Sequence, residues 1–372
     1  MRTTAAAGIV FANSNDNLLR NLTSQRSMAS VPFGARYRLI DFSLSNLVNA
    51  GIANIGIVTK ENYRSLMDHV GSGVHWDLDR KNGGLRILPP YLANGIKRYS
   101  GTVDALHGAK DFIERCNCDY IVLCAADILA NVDISALLKA HVETGADITT
   151  VYHTGMLPPN RDDAMIISLD ENSRITSIEF DGVAGAVKSY GIGITVIARD
   201  LLSKLVNDAY ENDLPSFNRN VLAVKVGQLK IFGFEHSGFV TLMNGTDSYY
   251  KASMALLDTD VRRQLFNSDR PIYTKTRDDM PTRYGTKANV SNCVIADGCV
   301  INGTVKNSIL FRGVTVEKGA VVENCILMQE TAVGANAQID NVIADKNAVI
   351  GENMVLKGTN EKHFFIKKNQ IV

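Results

Sequence analysis

The sequence predicts an α/β domain with a mixed, mostly parallel sheet, followed by a left-handed parallel β-helix. Short apolar runs alternate with helical stretches through the first half of the chain, which is typical of strands joined by helices that cover both faces of a sheet. Beyond about residue 288, aliphatic residues recur every six positions. This is the period of a triangular β-helix, in which each hexapeptide forms one side of a coil.

Composition and charge exclude several classes of function. The chain has 372 residues, enough for two or three domains with buried cores. Its 39 lysines and arginines balance its 39 aspartates and glutamates, so no overall field attracts nucleic acid or an anionic membrane. No apolar run approaches the roughly 18 residues that span a bilayer, and the first residues lack the features of a signal peptide. We therefore expect a cytoplasmic protein that binds neither nucleic acid nor membrane.

In the first half of the chain, apolar runs predict strands whose carboxyl ends meet. We expect strands at residues 7–11, 52–58 and 120–124 and helices at residues 41–50 and 105–114. The strand at 120–124 is apolar throughout and is soon followed by Asp127. Ligands of open α/β sheets bind outside the carboxyl ends of the strands. Asp127 is therefore a candidate site residue.

The middle of the chain predicts a hairpin that lines one side of a cleft. Residues 165–169 and 174–180 alternate in hydrophobicity around the turn sequence Asp-Glu-Asn-Ser. We expect a further strand at residues 190–197 and a helix at 246–257, with Thr246 as its N-cap.

The six-residue repeat sets the domain boundaries. Its aliphatic positions form four runs, Val294 and Val300; Leu310, Val316 and Val322; Leu327, Val333 and Ile339; and Ile343, Val349 and Val355. Glycines accompany these runs at the expected corners of the coils. We predict an N-terminal domain over residues 1–258, a linker over 259–287 and the β-helix over 288–372.

The six cysteines form no C-x-x-C pair and show no zinc-ligand spacing with the histidines. Since a reducing compartment disfavours disulfides, we expect free and mostly buried thiols. They are Cys116, Cys118, Cys124, Cys293, Cys299 and Cys325.

Three motifs carry a family resemblance. Residues 31–46 read VPFGARYRLIDFSLSN, residues 76–80 read WDLDR and residues 101–105 read GTVDA. In these motifs, and over nearly the whole chain, the sequence resembles the bacterial ADP-glucose pyrophosphorylases, or glucose-1-phosphate adenylyltransferases. The resemblance implies a Rossmann-like nucleotidyltransferase domain at residues 1–258, followed by the β-helix. It also implies the family reaction, in which ATP and glucose 1-phosphate give ADP-glucose and pyrophosphate for glycogen biosynthesis.

The phosphate-binding loop of that family is altered here. The family pattern A-G-G-x-G-T-R-L aligns with residues 12–19, which read ANSNDNLL and contain no glycine. Leu18 stands in place of the arginine, and Asp16 brings negative charge toward a polyphosphate. Glycines serve such a loop because side chains obstruct the approach of phosphates to the backbone.

Three further family positions have lost a charged group. Met28 replaces a lysine of the R-x-K-P motif and Phe180 replaces the lysine of E-K-P, so with Leu18 no family catalytic position is intact. Of the two metal-binding carboxylates only Asp127 remains, since Met243 occupies the second position, and one carboxylate should hold Mg²⁺ poorly. The resemblance leaves a remnant nucleotide or sugar-phosphate cleft formed by Asn13, Ser14, Arg26, Asp104, Glu179, Ser189 and Gly191.

These changes lead to a functional hypothesis. The resemblance implies a catalytically impaired, regulatory subunit that needs no cofactor alone and modulates a catalytic pyrophosphorylase chain, which uses Mg²⁺, in a mixed tetramer. Arg26, Arg36 and Arg38 form a basic cluster that could bind a small anionic effector or a structural sulfate, or pair with Asp41. The C-terminal Phe364-Phe365-Ile366 could pack on the partner or plug the last coil of its own chain.

Two functions from other classes are alternatives. An autonomous sugar-1-phosphate nucleotidyltransferase with an atypical phosphate loop would rely on Asp127, Arg26 and Asp104. A hexapeptide acyltransferase would need a general base in the β-helix, commonly histidine, and no histidine lies between residues 288 and 362. The missing phosphate contacts disfavour the first alternative, and the missing histidine disfavours the second.

Overall fold

The computed structural model describes residues 5–90 and 99–372. The strands of the N-terminal domain are β1 (Ala6–Phe11), β2 (Pro32–Phe33), β3 (Tyr37–Arg38), β4 (Asn54–Val58), β5 (Gly84–Leu88), β6 (Tyr120–Ala125), β7 (Ile128–Leu129), β8 (Ile148–Met156), β9 (Ile166–Leu169), β10 (Ile175–Glu179), β11 (Val187–Ala198), β12 (Ile231–Glu235) and β13 (Thr241–Leu242). The α-helices are α1 (Arg20–Thr23), α2 (Leu39–Asn49), α3 (Arg64–Val70), α4 (Thr102–Gly108), α5 (Lys110–Arg115), α6 (Ile134–Thr144), α7 (Arg199–Glu211), α8 (Ala223–Lys225), α9 (Thr246–Ala255) and α10 (Thr259–Leu265). None of the helices in the described part of the chain combines the length and the apolar character of a membrane-spanning helix.

Nine of these strands form one mixed sheet within the described residues, in the order β10-β9-β11-β6-β1-β4-β5, with β8 paired to β11 and β12 paired to β8. The central strand β1 runs parallel to β4 and to β6, whereas β11 runs antiparallel to β6. The four inner residues of β6 are buried, as expected for a strand covered on both faces. The expected strands and the mixed, mostly parallel sheet are confirmed.

The helices follow the sequence prediction with local differences. The single helix expected at residues 105–114 is two helices, α4 and α5. The break follows Gly108, where a Cβ atom would lie 2.5 Å from the Tyr99 hydroxyl, so the close approach of Tyr99 requires glycine in this poorly helical position. Helix α9 begins at Thr246, but its N-cap position is Gly245. The Ser248 hydroxyl accepts the backbone N–H of Asn244 at 2.9 Å beside that cap.

The expected hairpin is confirmed as β9 and β10. The Asp170 carboxylate accepts hydrogen bonds from the backbone N–H groups of Asn172 and Arg174, both at 2.9 Å, and thereby closes the turn.

The expectation of free thiols fails for one pair, because Cys116 and Cys118 form a disulfide. A single residue separates these two cysteines, so they form neither a C-x-x-C pair nor a zinc-ligand spacing. The thiols of Cys124, Cys293, Cys299 and Cys325 are free.

Fifteen short strands build the β-helix. They are β14 (Arg283–Tyr284), β15 (Asn289–Ser291), β16 (Val294–Ile295), β17 (Val300–Ile301), β18 (Thr304–Lys306), β19 (Ile309–Leu310), β20 (Thr315–Val316), β21 (Val321–Glu323), β22 (Ile326–Leu327), β23 (Ala332–Val333), β24 (Gln338–Asp340), β25 (Val342–Ala344), β26 (Val349–Ile350), β27 (Val355–Lys357) and β28 (Phe364–Ile366). Every third strand pairs in parallel, which gives three five-stranded sheets, the architecture of the left-handed β-helix. The segment expected as a linker contains α10 and β14, so the coil begins at Arg283 rather than at residue 288.

The interior of the β-helix keeps the six-residue period, with a different phase in the first and last runs. Val349 and Val355 are 39% and 58% exposed, and their following residues Ile350 and Leu356 point inward. In the first run, Ile301 rather than Val300 is fully buried. Asparagines with positive φ, such as Asn307 and Asn324, turn the corners alongside glycines.

The β-helix packs one outer face against the N-terminal domain. Ile309, Ile326 and Ile343 point outward from β19, β22 and β25 into an apolar cluster that includes Tyr249 of α9. Each of these four side chains is fully buried. The C-terminal residues form β28, which pairs with β25 of the same chain and buries Ile366 completely. This arrangement favours the interpretation that the tail closes its own last coil.

Candidate functional site

A cleft of about 580 Å³ opens at the carboxyl ends of the parallel strands β6, β1 and β4. The loop that follows β1, including Asn13 to Asn17, forms one wall, and the loop that follows β4 adds Thr59, Lys60 and Glu61. Asp127 lies at the end of β6, and Gly191 of β11 lines the opposite side. This is the place at which ligands of open α/β sheets bind.

Side chains of the first loop bond to one another and to neighbouring backbone. The Asn13 amide donates to Asp16 at 2.6 Å and accepts the backbone N–H of Lys60 at 2.7 Å. Asp16 accepts the backbone N–H of Met28 at 2.7 Å. Burial raises the pKa of Asp16 to about 6, although these hydrogen bonds oppose the rise. In this loop the Asp16 carboxylate accepts a backbone N–H group, the kind of donor that would bind a phosphate.

Asp127 is held by two donors and is 1% exposed. Its Oδ2 atom accepts hydrogen bonds from Asn15 Nδ2 at 2.8 Å and from Arg161 Nη1 at 2.9 Å. Its Oδ1 atom is buried and has no hydrogen-bond partner among the described residues. Burial raises the pKa of Asp127, and the Arg161 guanidinium opposes that rise.

Arg161 is the site residue that sequence reasoning missed. Its side chain is 5% exposed and also binds Asp163 through Nε at 2.7 Å and Nη2 at 2.9 Å. Burial lowers the pKa of Arg161, but the two carboxylates outweigh burial and raise it, so the guanidinium stays charged. Burial would raise the pKa of Asp163, but Arg161 holds it below its usual range. No motif marks Arg161, and its only sequence signal is the pair of aspartates that follows it.

The residues present do not fit the Mg²⁺ that the family resemblance implies. Met243 is fully buried and packs with Leu129 and Tyr249, although its backbone N–H donates to the Asp127 carbonyl at 2.9 Å. A thioether is a poor ligand for this hard cation. The Asp127 carboxylate is already neutralised by Arg161. No group of three or more histidine, cysteine or acidic side chains in the described part of the chain could hold a metal ion.

Three residues expected near the phosphates lie elsewhere. Arg26 is 3% exposed, and its Nη2 atom donates to both carboxylate oxygens of Asp345 in the β-helix, at 2.8 and 2.9 Å. Met28 is fully buried in the apolar cluster between the domains. Leu18, partly buried in the turn before α1, is not among the residues that line the cleft. Arg26, Met28 and Leu18 therefore do not line the cavity.

The expected sugar-phosphate side is dispersed. The Arg219 guanidinium lies 4.4 Å from the centre of the Phe180 ring and pairs with Asp181. Glu179 is exposed at the end of β10, and the Ser189 hydroxyl hydrogen-bonds that of Thr154 at 2.9 Å. Asp104 accepts the backbone N–H of Ser100 at 2.8 Å beside the cleft. Of the predicted remnant residues, Asn13, Ser14 and Gly191 line the cavity, as does Asp127, the predicted metal-binding carboxylate.

A second cavity, of about 550 Å³, is strongly basic and lies between the two domains. Its basic lining side chains, apart from His69, are Arg36, Arg38, Arg64, Lys275, Arg277, Arg312, Lys346 and Lys368. Asp68 and Glu330 are its acidic ones. Arg312 is 6% exposed, and its Nη2 atom has no hydrogen-bond partner among the described residues. Burial and the neighbouring Arg38 and Arg26 lower the pKa of Lys346 to about 7.

Comparisons with known proteins agree with this two-part organisation. The profile of the nucleotidyl transferase family matches residues 8–179, and that of the GlmU-like C-terminal hexapeptide region matches residues 278–372. The chain is 42% identical to the glycogen biosynthesis protein GlgD of Geobacillus stearothermophilus, over 98% of this chain and 96% of the relative. It is 34% identical to GlgD of Bacillus subtilis, over 84% of this chain and 81% of the relative. It is 32% identical to a glucose-1-phosphate adenylyltransferase of Geobacillus stearothermophilus, over 84% of this chain and 82% of the relative.

Proposed function

Because the chain belongs to the family of the glycogen biosynthesis protein GlgD and glucose-1-phosphate adenylyltransferase, we propose that it is a regulatory, catalytically impaired subunit of that enzyme. The proposed complex makes ADP-glucose and pyrophosphate from ATP and glucose 1-phosphate. The ion pair of Asp127 with Arg161, at 2.9 Å, is the observation that carries this proposal. It neutralises the one metal-binding carboxylate that the chain retains.

The charges of the cleft support loss of catalysis. Nucleotidyl transfer requires cations and backbone amides that neutralise the triphosphate as pyrophosphate leaves. Here the lining carries the acidic residues Asp16, Glu61, Asp127 and Asp163 against the basic Lys60 and Arg161. Removal of one transition-state contact typically costs about 10² to 10³ in rate. With several contacts missing, turnover by this chain alone should be lower by many orders of magnitude.

The proposed partner is a catalytic chain of the same family, in a mixed tetramer in which the partner binds Mg²⁺. The β-helix offers apolar surface for this contact, because Val355 and Ile371 are 58% and 77% exposed on its last coils. Burial of such aliphatic side chains at an interface would remove apolar surface from water, which is favourable. If the active and inactive states of the partner pack differently on this surface, association shifts their populations.

The basic cavity supports the further proposal of a small anionic effector. Arg36 and Arg38 reach it from the N-terminal domain, whereas Arg312 and Lys346 reach it from the β-helix. An anion bound there would contact both domains of the chain. It would thereby favour one relative arrangement of the domains over another.

Coexpression with a catalytic relative tests the proposal. The two chains should co-purify, and the mixture should differ from the catalytic chain alone in its KM or its response to effectors. Val355→Asp with Ile371→Asp should weaken this association, because each places a charge at a buried contact. Val224→Asp, on an exposed side chain of the N-terminal domain, is the matched control. Separate elution of the wild-type chains would contradict the proposed partnership.

One observation favours the alternative of an autonomous sugar-1-phosphate nucleotidyltransferase with an atypical phosphate loop. The cleft is well formed, with about 580 Å³ of space at the expected edge of the sheet. The alternative predicts sustained sugar-nucleotide synthesis by the purified chain without a partner. The proposed function predicts none above background.

A further inference from the structure

Lys346 lies in a corner of the β-helix, between β25 and β26, and lines the basic cavity. Its backbone is fixed on both sides, because its N–H donates to Asp345 Oδ1 at 2.7 Å and its carbonyl accepts the N–H of Asn369 at 3.0 Å. The residue is partly exposed, so a small solute that enters this cavity of about 550 Å³ reaches the side chain.

The carboxylate that precedes Lys346 is already engaged by another cation. Both oxygens of Asp345 accept hydrogen bonds from Arg26 Nη2, at 2.8 and 2.9 Å. Among the described side chains that line the cavity, eight are lysines or arginines, and only Asp68 and Glu330 are acidic. The lining therefore carries a large excess of positive charge.

Neutral groups hold several of these cations. Arg38 Nη1 donates to the carbonyl and the hydroxyl of Ser65, at 2.6 and 2.9 Å. Lys275 Nζ donates to the backbone carbonyl of Asp68 at 2.6 Å. Arg312 Nη2 has no hydrogen-bond partner among the described residues. A neutral acceptor does not cancel a charge, and like charges in a partly desolvated cavity repel more strongly than in water.

This environment keeps part of the Lys346 amine neutral. Burial, with the neighbouring Arg38 and Arg26, lowers the pKa of Lys346 to about 7, although Asp345 opposes the change. Only a neutral amine has the lone pair that attacks an electrophile. Carbon dioxide is such an electrophile, and the carbamate that it forms with an amine is an anion. Surrounding cations favour the conversion of a cationic side chain into an anionic one.

We propose that Lys346 is a site of reversible modification by carbon dioxide, which converts its amine to a carbamate inside the basic cavity. The amine nitrogen forms a bond to the carbon of CO₂, one C–O π bond becomes the lone pair of an O⁻, and the nitrogen releases a proton to water. Nothing is oxidised or reduced, and loss of CO₂ restores the amine. The inference goes beyond the proposed function, because it needs neither a partner chain nor a bound effector.

Carbon-13 NMR of the full chain in ¹³CO₂-equilibrated buffer near pH 8 tests the proposal. The N-terminal amine, with an ordinary pKa of about 8, also forms a carbamate and serves as the internal reference. The wild-type chain should show a second carbamate signal, which Lys346→Arg should abolish. Lys368→Arg, the matched control at another lysine of the cavity, should keep it. Absence of the second signal from the wild-type chain, or its persistence in Lys346→Arg, would overturn the proposal.

A second measurement tests whether the modification changes the cavity. Sulfate is titrated calorimetrically with and without CO₂, at equal pH and ionic strength. The wild-type chain should bind sulfate at least about threefold more weakly with CO₂, because the carbamate cancels positive charge. Bicarbonate ion also competes for the cavity, and Lys346→Arg, which keeps a cation but forms no carbamate, measures that competition. An equal loss of sulfate affinity in both chains would contradict the assignment.

Failure of this inference and failure of the proposed function give different results. A chain that forms no carbamate, but binds sulfate and co-purifies with a catalytic relative, would overturn the modification and leave the regulatory function standing. Formation of ADP-glucose by the chain alone would overturn the function and leave the carbamate signal of Lys346 unchanged.

Discussion

The Arg26 guanidinium donates two hydrogen bonds to the Asp345 carboxylate, at 2.8 and 2.9 Å, across 319 positions of sequence. Both side chains are 4% exposed. The pair joins the segment before β2 to the β-helix, beside the apolar cluster that holds the two domains together. It also explains why a basic residue expected in the phosphate cleft is absent from it.

Arg26→Met should destabilise the chain by about 3–5 kcal/mol, because it leaves the Asp345 carboxylate buried without its counter-ion. Arg115→Met is the matched control, since the pair of Arg115 with Asp111 is 77% and 82% exposed. That control should change the free energy of unfolding by no more than about 1 kcal/mol. Urea unfolding measures both values. Equal effects of the two variants would show that burial does not set the contribution of Arg26.

Met243→Asp should lower stability by a few kcal/mol, since it places a carboxylate where a thioether is fully buried. It should not confer Mn²⁺ binding, because Arg161 remains as the counter-ion of Asp127. Met243→Leu, which conserves volume, should cost less than about 1.5 kcal/mol. Thermal unfolding and Mn²⁺ titration are the measurements. Tight Mn²⁺ binding by Met243→Asp alone would show that Arg161 does not block the site.

Asp16→Asn should stabilise the chain more at pH 8 than at pH 5. Burial raises the pKa of Asp16 from 3.8 to about 6 in the folded state, so the folded state binds a proton more tightly than the unfolded state. Stability contributed by the protonated carboxyl is therefore lost as the pH rises through 6. The asparagine variant does not titrate, and its advantage should grow by about 1 kcal/mol between these two pH values. Urea unfolding at both would show it, and a pH-independent difference would contradict it.

Sulfate should bind the basic cavity more tightly at pH 6 than at pH 8. Burial and neighbouring arginines lower the pKa of Lys346 to about 7, so this side chain loses its charge over that range while sulfate keeps its own. Lys346→Arg should remove the pH dependence, and Arg312→Gln should weaken binding at both pH values. Calorimetric titration measures all three chains. Identical sulfate affinity of the wild-type chain at both pH values would contradict a role for Lys346.

The β-helix could be predicted from the sequence because its period is local. Six-residue spacing of aliphatic residues fixes the number of sides, but it does not fix which of two adjacent aliphatic residues points inward. In the last coils Ile350 rather than Val349 points inward, and Leu356, six residues later, also points inward. The outward Ile309 and Ile326 are apolar because another domain covers them, a fact that no local pattern contains.

The position of the cleft could be predicted from the sequence, but the set of side chains that line it could not. Asp127 was expected at the end of a strand, and it lies there. Its partner Arg161 is 34 residues away in a loop without a motif, and only the fold brings the two charges to 2.9 Å. In the same way, the pairing of Arg26 with Asp345 depends on how the β-helix docks. Ion pairs between distant segments leave no periodic or compositional signal.

Turnover by the purified chain distinguishes a catalytically impaired subunit from an autonomous enzyme. ADP-glucose formation from ATP, glucose 1-phosphate and Mg²⁺ is measured for this chain alone, with a catalytic relative at the same concentration as the reference. We predict a rate many orders of magnitude below that of the relative, because Arg161 neutralises Asp127 and the phosphate loop lacks its glycines and arginine. A turnover in the usual enzyme range of about 1 to 10³ per second would show that the chain is catalytic on its own.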